Sequence, residues 1–376
     1  MNYSTTFAGD DQTQVSAAAP LILHVFSTFK VGGPQRRFAA MANHFGSRYR
    51  HRVIALDDRT EAQTLLKTAC LVQPAPFRRS NPVSDMIRAQ KFLRKLKPDL
   101  LVTYNWGAME WAAANLIAGM RHIHIEDGFG PEEAERQLPR RVWFRRAVLN
   151  RRSTLVLPSQ TLVNIATKIW HIQSKRIVYV PNGVPCARFQ IAHETALTFP
   201  GSGPVIGTVA ALRREKALGR LIEAFTLLRT KRAARLVIVG DGPEKASLEQ
   251  LTYARGVQES VFFTGPLERP ERAVAGFDIF ALSSDTEQMP LSVLEAMAAG
   301  LPVAGTNVGD MRHIVAEDNH PFIVPRDVLA LAGSMRELVD DADARVKVGA
   351  ANRARALREF DEAVMFAAYD RLFASA

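Results

Sequence analysis

Two carboxylates, Glu287 and Glu295, stand astride a proline and an apolar run in SSDTEQMPLSVLEAMAAGLPV, residues 283–303. Pro290 suits the first turn of a helix, where its missing N–H costs nothing. The pattern predicts a helix to about Ala299, capped by Gly300, with Pro302 beyond. The open N–H groups near Leu291 and Ser292, with the helix dipole, make an anion site suited to phosphate. Glu287 sits in the preceding loop, at the mouth of that site. Glu295 lies four residues after Leu291 on the helix's inner edge, where it can accept from the two vicinal hydroxyls of a ribose. Together the groups suit a nucleoside, a diphosphate and one further group beyond it. Such a pair also arises on ordinary solvated helices, so its surroundings matter.

Other stretches carry chemistry of their own. RREK (Arg213–Lys216) opens a helix with cations that suit a departing diphosphate. Gly32 and Gly33 follow a strand, as do Gly240 and Gly242 in VGDGP. Glycine there lets backbone approach a phosphate, or simply turns strand into helix, and for the second pair both readings stand. In RHIHIEDG, a period of two places His122, His124 and Glu126 on one strand face. No further ligand accompanies them, so no metal site is assigned. LPRRVWFRRAVLNRRS (residues 138–153) mixes Arg140, Arg141, Arg145, Arg146, Arg151 and Arg152 with Trp143, Phe144, Ala147 and Val148. A basic amphipathic helix of this kind lies on an anionic membrane with its apolar face down, or packs that face into a core.

Short apolar strands alternate with helical patterns from PLILHVF onward, which indicates a parallel sheet covered on both faces. PCARFQIAHETALTFPGSGP (185–204) breaks the rhythm, and the alternation then restarts at VIGTVA. The expected organisation is a disordered tail at 1–19, an acceptor-binding Rossmann-like domain at 20–187, and a linker at 188–204. A donor-binding domain follows at 205–358, and a C-terminal segment at 359–376 packs on either domain. Two doubly wound α/β domains would place the site in a cleft outside the strands' carboxyl ends.

With 47% hydrophobic and 23% charged residues, the chain has an ordinary globular composition. Two distant cysteines, Cys70 and Cys186, give neither a disulfide framework nor a zinc spacing, which suits a reducing, cytoplasmic setting. No run of 18 apolar residues occurs. Residues 1–187 hold 26 Lys and Arg against 13 Asp and Glu, the remainder 22 against 25; the net +13 and −3 sum to +10. The first half therefore faces something anionic. No nucleic-acid motif is visible, and lipid or a phosphorylated substrate is the better partner.

The stretch from Glu287 to Glu295 resembles the E-x7-E signature of retaining GT-B glycosyltransferases of the family 4, or group 1, type. IGTVAALRREKALGRLIEAF, LVIVGDGPEKASLE, YVPNGV and KVGGPQRRFAAMANHF are similar to further segments of that family, over about Leu21 to the C-terminus. The resemblance implies a nucleotide-sugar donor, UDP- or GDP-linked, with no metal or other cofactor. Glu287 would contact the transferred sugar, Glu295 the ribose, and Lys216 the diphosphate. The usual partner of that lysine is an Arg five positions earlier; Ala211 stands there, and Arg213 is taken as the substitute. Asp127 occupies the place where many relatives show His, and would orient the acceptor hydroxyl or the sugar. Gly32, Gly33, Gly240, Gly242, Met289, Pro290, Leu291 and Ser292 complete the expected donor site. The acceptor is expected to be a carbohydrate or lipid-linked glycan, as in surface polysaccharide assembly at the inner face of a membrane. A UDP-sugar 2-epimerase and a non-catalytic nucleotide-sugar-binding relative are the rival readings. A phosphorylase fits poorly, for want of length and of a pyridoxal lysine.

Overall fold

A computed structural model describes residues 19–77, 80–129, 131–133, 136–190 and 196–374. All of the expected N-terminal tail but Ala19, and residues 191–195 of the expected linker, lie outside the described residues. The chain divides by internal contacts into two units. Unit 1 comprises residues 1–157, 166–178 and 370–376; unit 2 comprises 158–165 and 179–369.

Unit 1 contains β1 (Leu21–Phe26), α1 (Gly33–Phe45), β2 (Arg50–Ala55), β3 (Cys70–Pro74), α2 (Pro82–Leu96), β4 (Leu100–Tyr104), α3 (Met109–Ala118), β5 (His122–Ile125), α4 (Pro139–Arg152) and β6 (Ser153–Leu157). Helix α5 (Gln160–Lys168) and strand β7 (Ile177–Tyr179) straddle the division. The strand order is β3-β2-β1-β4-β5-β6-β7, and the pairings from β3 to β6 are parallel. The central strands are apolar along their length because a parallel sheet is covered on both faces: β4 is buried at every residue. Helix α1 starts directly at the glycines and buries Phe38, Met41, Ala42 and Phe45, the residues whose spacing marks its inner face. The Asn81 side chain caps α2 by accepting from the Ser84 N–H.

Unit 2 contains β8 (Val205–Val209), α6 (Leu218–Arg229), β9 (Arg235–Val239), α7 (Lys245–Ala254), β10 (Val261–Gly265), α8 (Glu271–Val274), β11 (Ile279–Leu282), α9 (Leu291–Ala298), β12 (Val303–Thr306), α10 (Met311–Ile314), β13 (Ile323–Val324), α11 (Val328–Asp340) and α12 (Ala342–Glu359). Its sheet is parallel in the order β10-β9-β8-β11-β12-β13. One core gathers Phe280, Val293, Met297, Met311 and Phe360; another gathers Ile206, Leu221, Phe225, Leu331 and Met335. Each such side chain contributes about 1.5–3 kcal/mol of burial. Both sheets reverse their strand order beside the first strand of their unit, between β1 and β4 and between β8 and β11. Ligands bind at such switch points, outside the strands' carboxyl ends.

The division differs from the sequence boundaries at three places. Residues 158–165 count with unit 2, where the buried Asp310 carboxylate accepts from the N–H groups of Gln160 (2.5 Å) and Thr161 (2.8 Å). Residues 179–187 also count there, and Val184 bridges to Asp361. The final helix, α13 (Glu362–Ala374), begins in unit 2, but from Asp370 onward it counts with unit 1. There Tyr49 donates to Asp370 and Arg121 to the carbonyls of Leu372 and Phe373. Strands β3 and β13 have no counterpart in the sequence reading: β3 is a half-exposed strand at the sheet's edge that ends on Pro74, and β13 has two residues.

Of the two readings of helix α4, the structure shows the one in which the apolar face packs into a core. That face is spent inside unit 1: Val148 and Leu149 are buried, Phe144 meets Trp106 edge-on, and Arg145 has no exposure. The exposed face carries Arg140, Arg146, Arg151 and Trp143, the last 68% exposed. Among the described residues no helix is long and apolar enough to cross a membrane.

Candidate active site

In unit 2 the loops after β8 and β11 bring together residues 71 apart in sequence. Lys216 Nζ lies 2.6 Å from Glu287 Oε1, and Ser284 Oγ donates to the same oxygen at 2.7 Å. Lys216 closes a short 3-10 turn at Arg214–Lys216, and its carbonyl accepts from Ser283 Oγ. Its side chain is 25% exposed and that of Glu287 11%, so the pair is shielded yet open to a ligand. Arg220, one helical turn after Lys216, donates to the Ser283 carbonyl and to Asp285 Oδ1, both at 2.7 Å. Arg326 donates to the Asp285 carbonyl. The loop that carries Glu287 is thus held by two arginines that sequence reasoning missed. Arg213, expected as the second phosphate cation, is exposed at the start of the turn.

The helix beyond the loop starts at Leu291, so Pro290 is its cap and not part of its first turn. The Pro290 carbonyl accepts from Val293 and Leu294, and no side chain caps the end. The Leu291 and Ser292 N–H groups have no acceptor within the helix, by the geometry of a helix start. Ala299 is the terminal cap, with Gly300 one residue beyond in the left-handed region, φ 82°. Leu301 N–H bonds Ala296 O and Gly300 N–H bonds Met297 O, the Schellman pattern. Glu295 is half-buried on this helix. Met289 is buried and its sulfur accepts from the Asn182 N–H, so its side chain belongs to the core.

The glycines separate by role. A Cβ at Gly240 would lie 1.9 Å from Ala210 O, and one at Gly242 2.5 Å from Leu212 O. These residues let the loops after β8 and β9 touch, and Leu212 and Asp241 share a backbone bond there. Gly309 is nearly as tight: its φ is 52°, and a Cβ would lie 2.1 Å from the Glu287 carbonyl oxygen. With Asp310 N–H bonding Gln288 O, it presses the Glu287 loop into place.

In unit 1, Gly32 is the cap of α1 and a Cβ on Gly33 would meet open space. Asp127 follows β5. Arg37 grips its carboxylate with both terminal nitrogens, at 2.5 and 2.9 Å, and Asn105 Oδ1 accepts from its N–H at 2.7 Å. A carboxylate holding one bidentate arginine keeps lone pairs for a hydroxyl donor. Behind it, His122 and His124 share Thr103 Oγ1, and His122 also meets Ser153 Oγ. Burial pushes His122 down to about 3, with the neighbouring His124 adding to the shift. These imidazoles serve a hydrogen-bonded interior, and among the described residues no cluster is arranged to hold a metal ion.

Two doubly wound units, with sheets of seven and six strands, make this the GT-B class of fold. Residues 31–188 match the family model Glycosyltransferase Family 4, and residues 190–355 match Glycosyl transferases group 1. The chain belongs to this group 1, family 4 type of glycosyltransferases. It is similar to N-acetyl-alpha-D-glucosaminyl L-malate synthase of Bacillus anthracis, 26% identical over 44% of this chain and 44% of that protein. It is also similar to 2-deoxystreptamine N-acetyl-D-glucosaminyltransferase of Streptomyces fradiae, 29% identical over 55% and 52%. The chain therefore spans about half the length of these curated relatives. Among solved structures, Anabaena HepE in complex with UDP superposes with a TM-score of 0.79 at 17% identity, over 95% of this chain and all of that one.

Proposed function

We propose that this protein transfers a sugar from a nucleotide diphosphate sugar to an acceptor hydroxyl with retention of anomeric configuration. The observation that carries the proposal is the Lys216–Glu287 pair at the open ends of β8 and β11, beside the uncapped start of α9. The diphosphate draws Lys216 off Glu287 and rests on the Leu291 and Ser292 N–H groups. Glu287, released, takes the hydroxyls of the transferred sugar, and Glu295 takes the ribose. The bond from the anomeric carbon to the phosphate oxygen breaks, and the acceptor oxygen bonds to that carbon on the same face. Its proton passes to the leaving phosphate oxygen. Lys216 and the helix start hold the charge that develops there. Asp127 orients the acceptor hydroxyl.

The UDP complex of the Anabaena neighbour supports UDP as the first nucleotide to try. The acceptor is a carbohydrate or lipid-linked glycan in polysaccharide or glycolipid assembly, at the cytoplasmic face of a membrane. The exposed face of α4, with Arg140, Trp143, Arg146 and Arg151, meets its anionic surroundings. Calorimetry and thermal shift with UDP, GDP, ADP and their common sugar conjugates test the donor reading. One tight, base-selective ligand supports it, and binding by none of them overturns it. Proton NMR of the product then reads the anomeric configuration, and an inverted product would remove the retaining mechanism.

A further inference from the structure

Arg145 has no exposure at all, yet it is a cation. A guanidinium so placed is costly unless its surroundings compensate on every side. Here they do. The terminal nitrogens grip Glu133 in a bidentate pair, both bonds at 3.1 Å, while Nε lies 3.4 Å from Glu126 Oε2. Three rings close the box, Trp170 at 4.5 Å from the guanidinium carbon, Trp106 at 5.0 Å and Phe129 at 5.6 Å. Burial pushes Glu133 up, but hydrogen bonds from Arg145 and Arg141 outweigh it and hold the carboxyl below its ordinary range.

The partners of Arg145 are not scattered. Glu126, Phe129 and Glu133 all belong to the connection from β5 to α4, and Asp127 lies between the first two. Arg37 fixes the Asp127 carboxylate and Asn105 its N–H. Neither fixes the course of the chain on both sides of it. We propose that Arg145 is a positioning residue: Glu126, Phe129 and Glu133 of the β5–α4 connection gather around its guanidinium, and this sets where Asp127 presents its carboxylate. An apolar residue of similar volume would fill the space but leave Glu133 only Arg141 and the Leu138 N–H, and Glu126 no guanidinium at all. Lysine would keep the charge but lose the planar fork and the stacking on three rings. The inference rests on the transferase reading only for the role of Asp127; the gathering of the connection around Arg145 stands apart from it.

The test uses the full chain with UDP-glucose as probe and water as acceptor, following UDP release. Arg145→Lys is expected to lower kcat at least tenfold, with KM for UDP-glucose and the affinity for UDP each within twofold of wild type. In an Asp127→Asn background the same change is expected to cost less than twofold, because both changes act through one group. A full further loss in that background, or UDP affinity falling in step with the rate, overturns the positioning role. Amide hydrogen exchange supplies a readout that needs no turnover. Residues 126–129 are expected to exchange at least tenfold faster in Arg145→Lys while β8 to β12 exchange as in wild type; unchanged exchange overturns the proposal. If Arg145→Lys does not fold, Glu133→Gln, which weakens one arm of the box, is held to the same exchange pattern. A wild-type protein that neither binds nor hydrolyses UDP-glucose counts against this donor, and the exchange measurement then decides Arg145 alone.

Discussion

At the scale of single residues, the proposed chemistry rests on the ion pair of Lys216 and Glu287. Glu287→Gln keeps the shape and the Ser284 contact but removes the charge. It is expected to lower turnover at least 100-fold, about 2.7 kcal/mol of barrier, with donor affinity within threefold. A rate within a factor of about three of wild type, under ~0.7 kcal/mol, would remove the catalytic role. Lys216→Ala is expected to weaken a nucleoside diphosphate more than tenfold, above about 1.4 kcal/mol, and the bare nucleoside less than twofold. Equal losses for the two ligands would take Lys216 off the phosphate. Both residues were singled out in the sequence through the family resemblance of their short local stretches, RREK and Glu287 to Glu295. Arg37, Arg220 and Arg145 were not. Each is one arginine among many, and its partner lies 90, 65 or 12 residues away. Arg145 does leave a trace, since it falls at helical spacing with the buried Val148 and Leu149.

At the scale of elements, the loop after β11 is a clamped segment. Thr306 donates to the Ser284 carbonyl, Arg220 to that of Ser283, and Gly309 abuts the peptide of Glu287. Gly309→Ala adds a methyl where no room exists, at a φ that L residues rarely adopt. It is expected to cost about 1–3 kcal/mol of stability, seen as a melting temperature lower by several degrees, and to reduce turnover at least tenfold by shifting Glu287. Wild-type turnover with an unchanged melting temperature would show that the close approach is not needed. The sequence pointed to Gly300, because a glycine after an apolar helical run is a stop signal in itself. Gly309 carries no such sign: it is demanded by a loop 22 residues earlier.

At the scale of the molecule, unit 1 holds a buried string of polar groups across its sheet. Tyr104 Oη meets His24 Nδ1 at 3.0 Å, and His24 Nε2 meets His51 Nδ1 at 3.0 Å, on β4, β1 and β2. Burial, with the neighbouring His51, pushes His24 well below its ordinary value; burial takes His51 to about 4 and His122 to about 3. The folded state thus refuses protons that the unfolded chain accepts near pH 6.5. When the unfolded state binds more protons, stability falls as pH falls. The contribution is full above about pH 6.5 and declines below it, by about 1 kcal/mol per pH unit and histidine, until each folded value is passed. Urea unfolding followed between pH 7 and 5 is expected to show a midpoint that drops steadily, ahead of most carboxylate titration. A flat midpoint over that window, or the same slope in His51→Gln, would show that these histidines do not set it.

The sequence by itself determined the class of fold, the two-part organisation and the helix between Pro290 and Gly300. Those features are written in local periodicity and in turn residues, which act over a few positions whatever the rest of the chain does. Only the tertiary structure decided that Lys216 meets Glu287, that Arg37 occupies Asp127, that Met289 is core and that α4 turns its apolar face inward. Helical spacing shows that a face is apolar but not what covers it. The pairing of charges depends on which loops the strand order brings to one end of a sheet, a property of the assembled fold and of no single stretch of it.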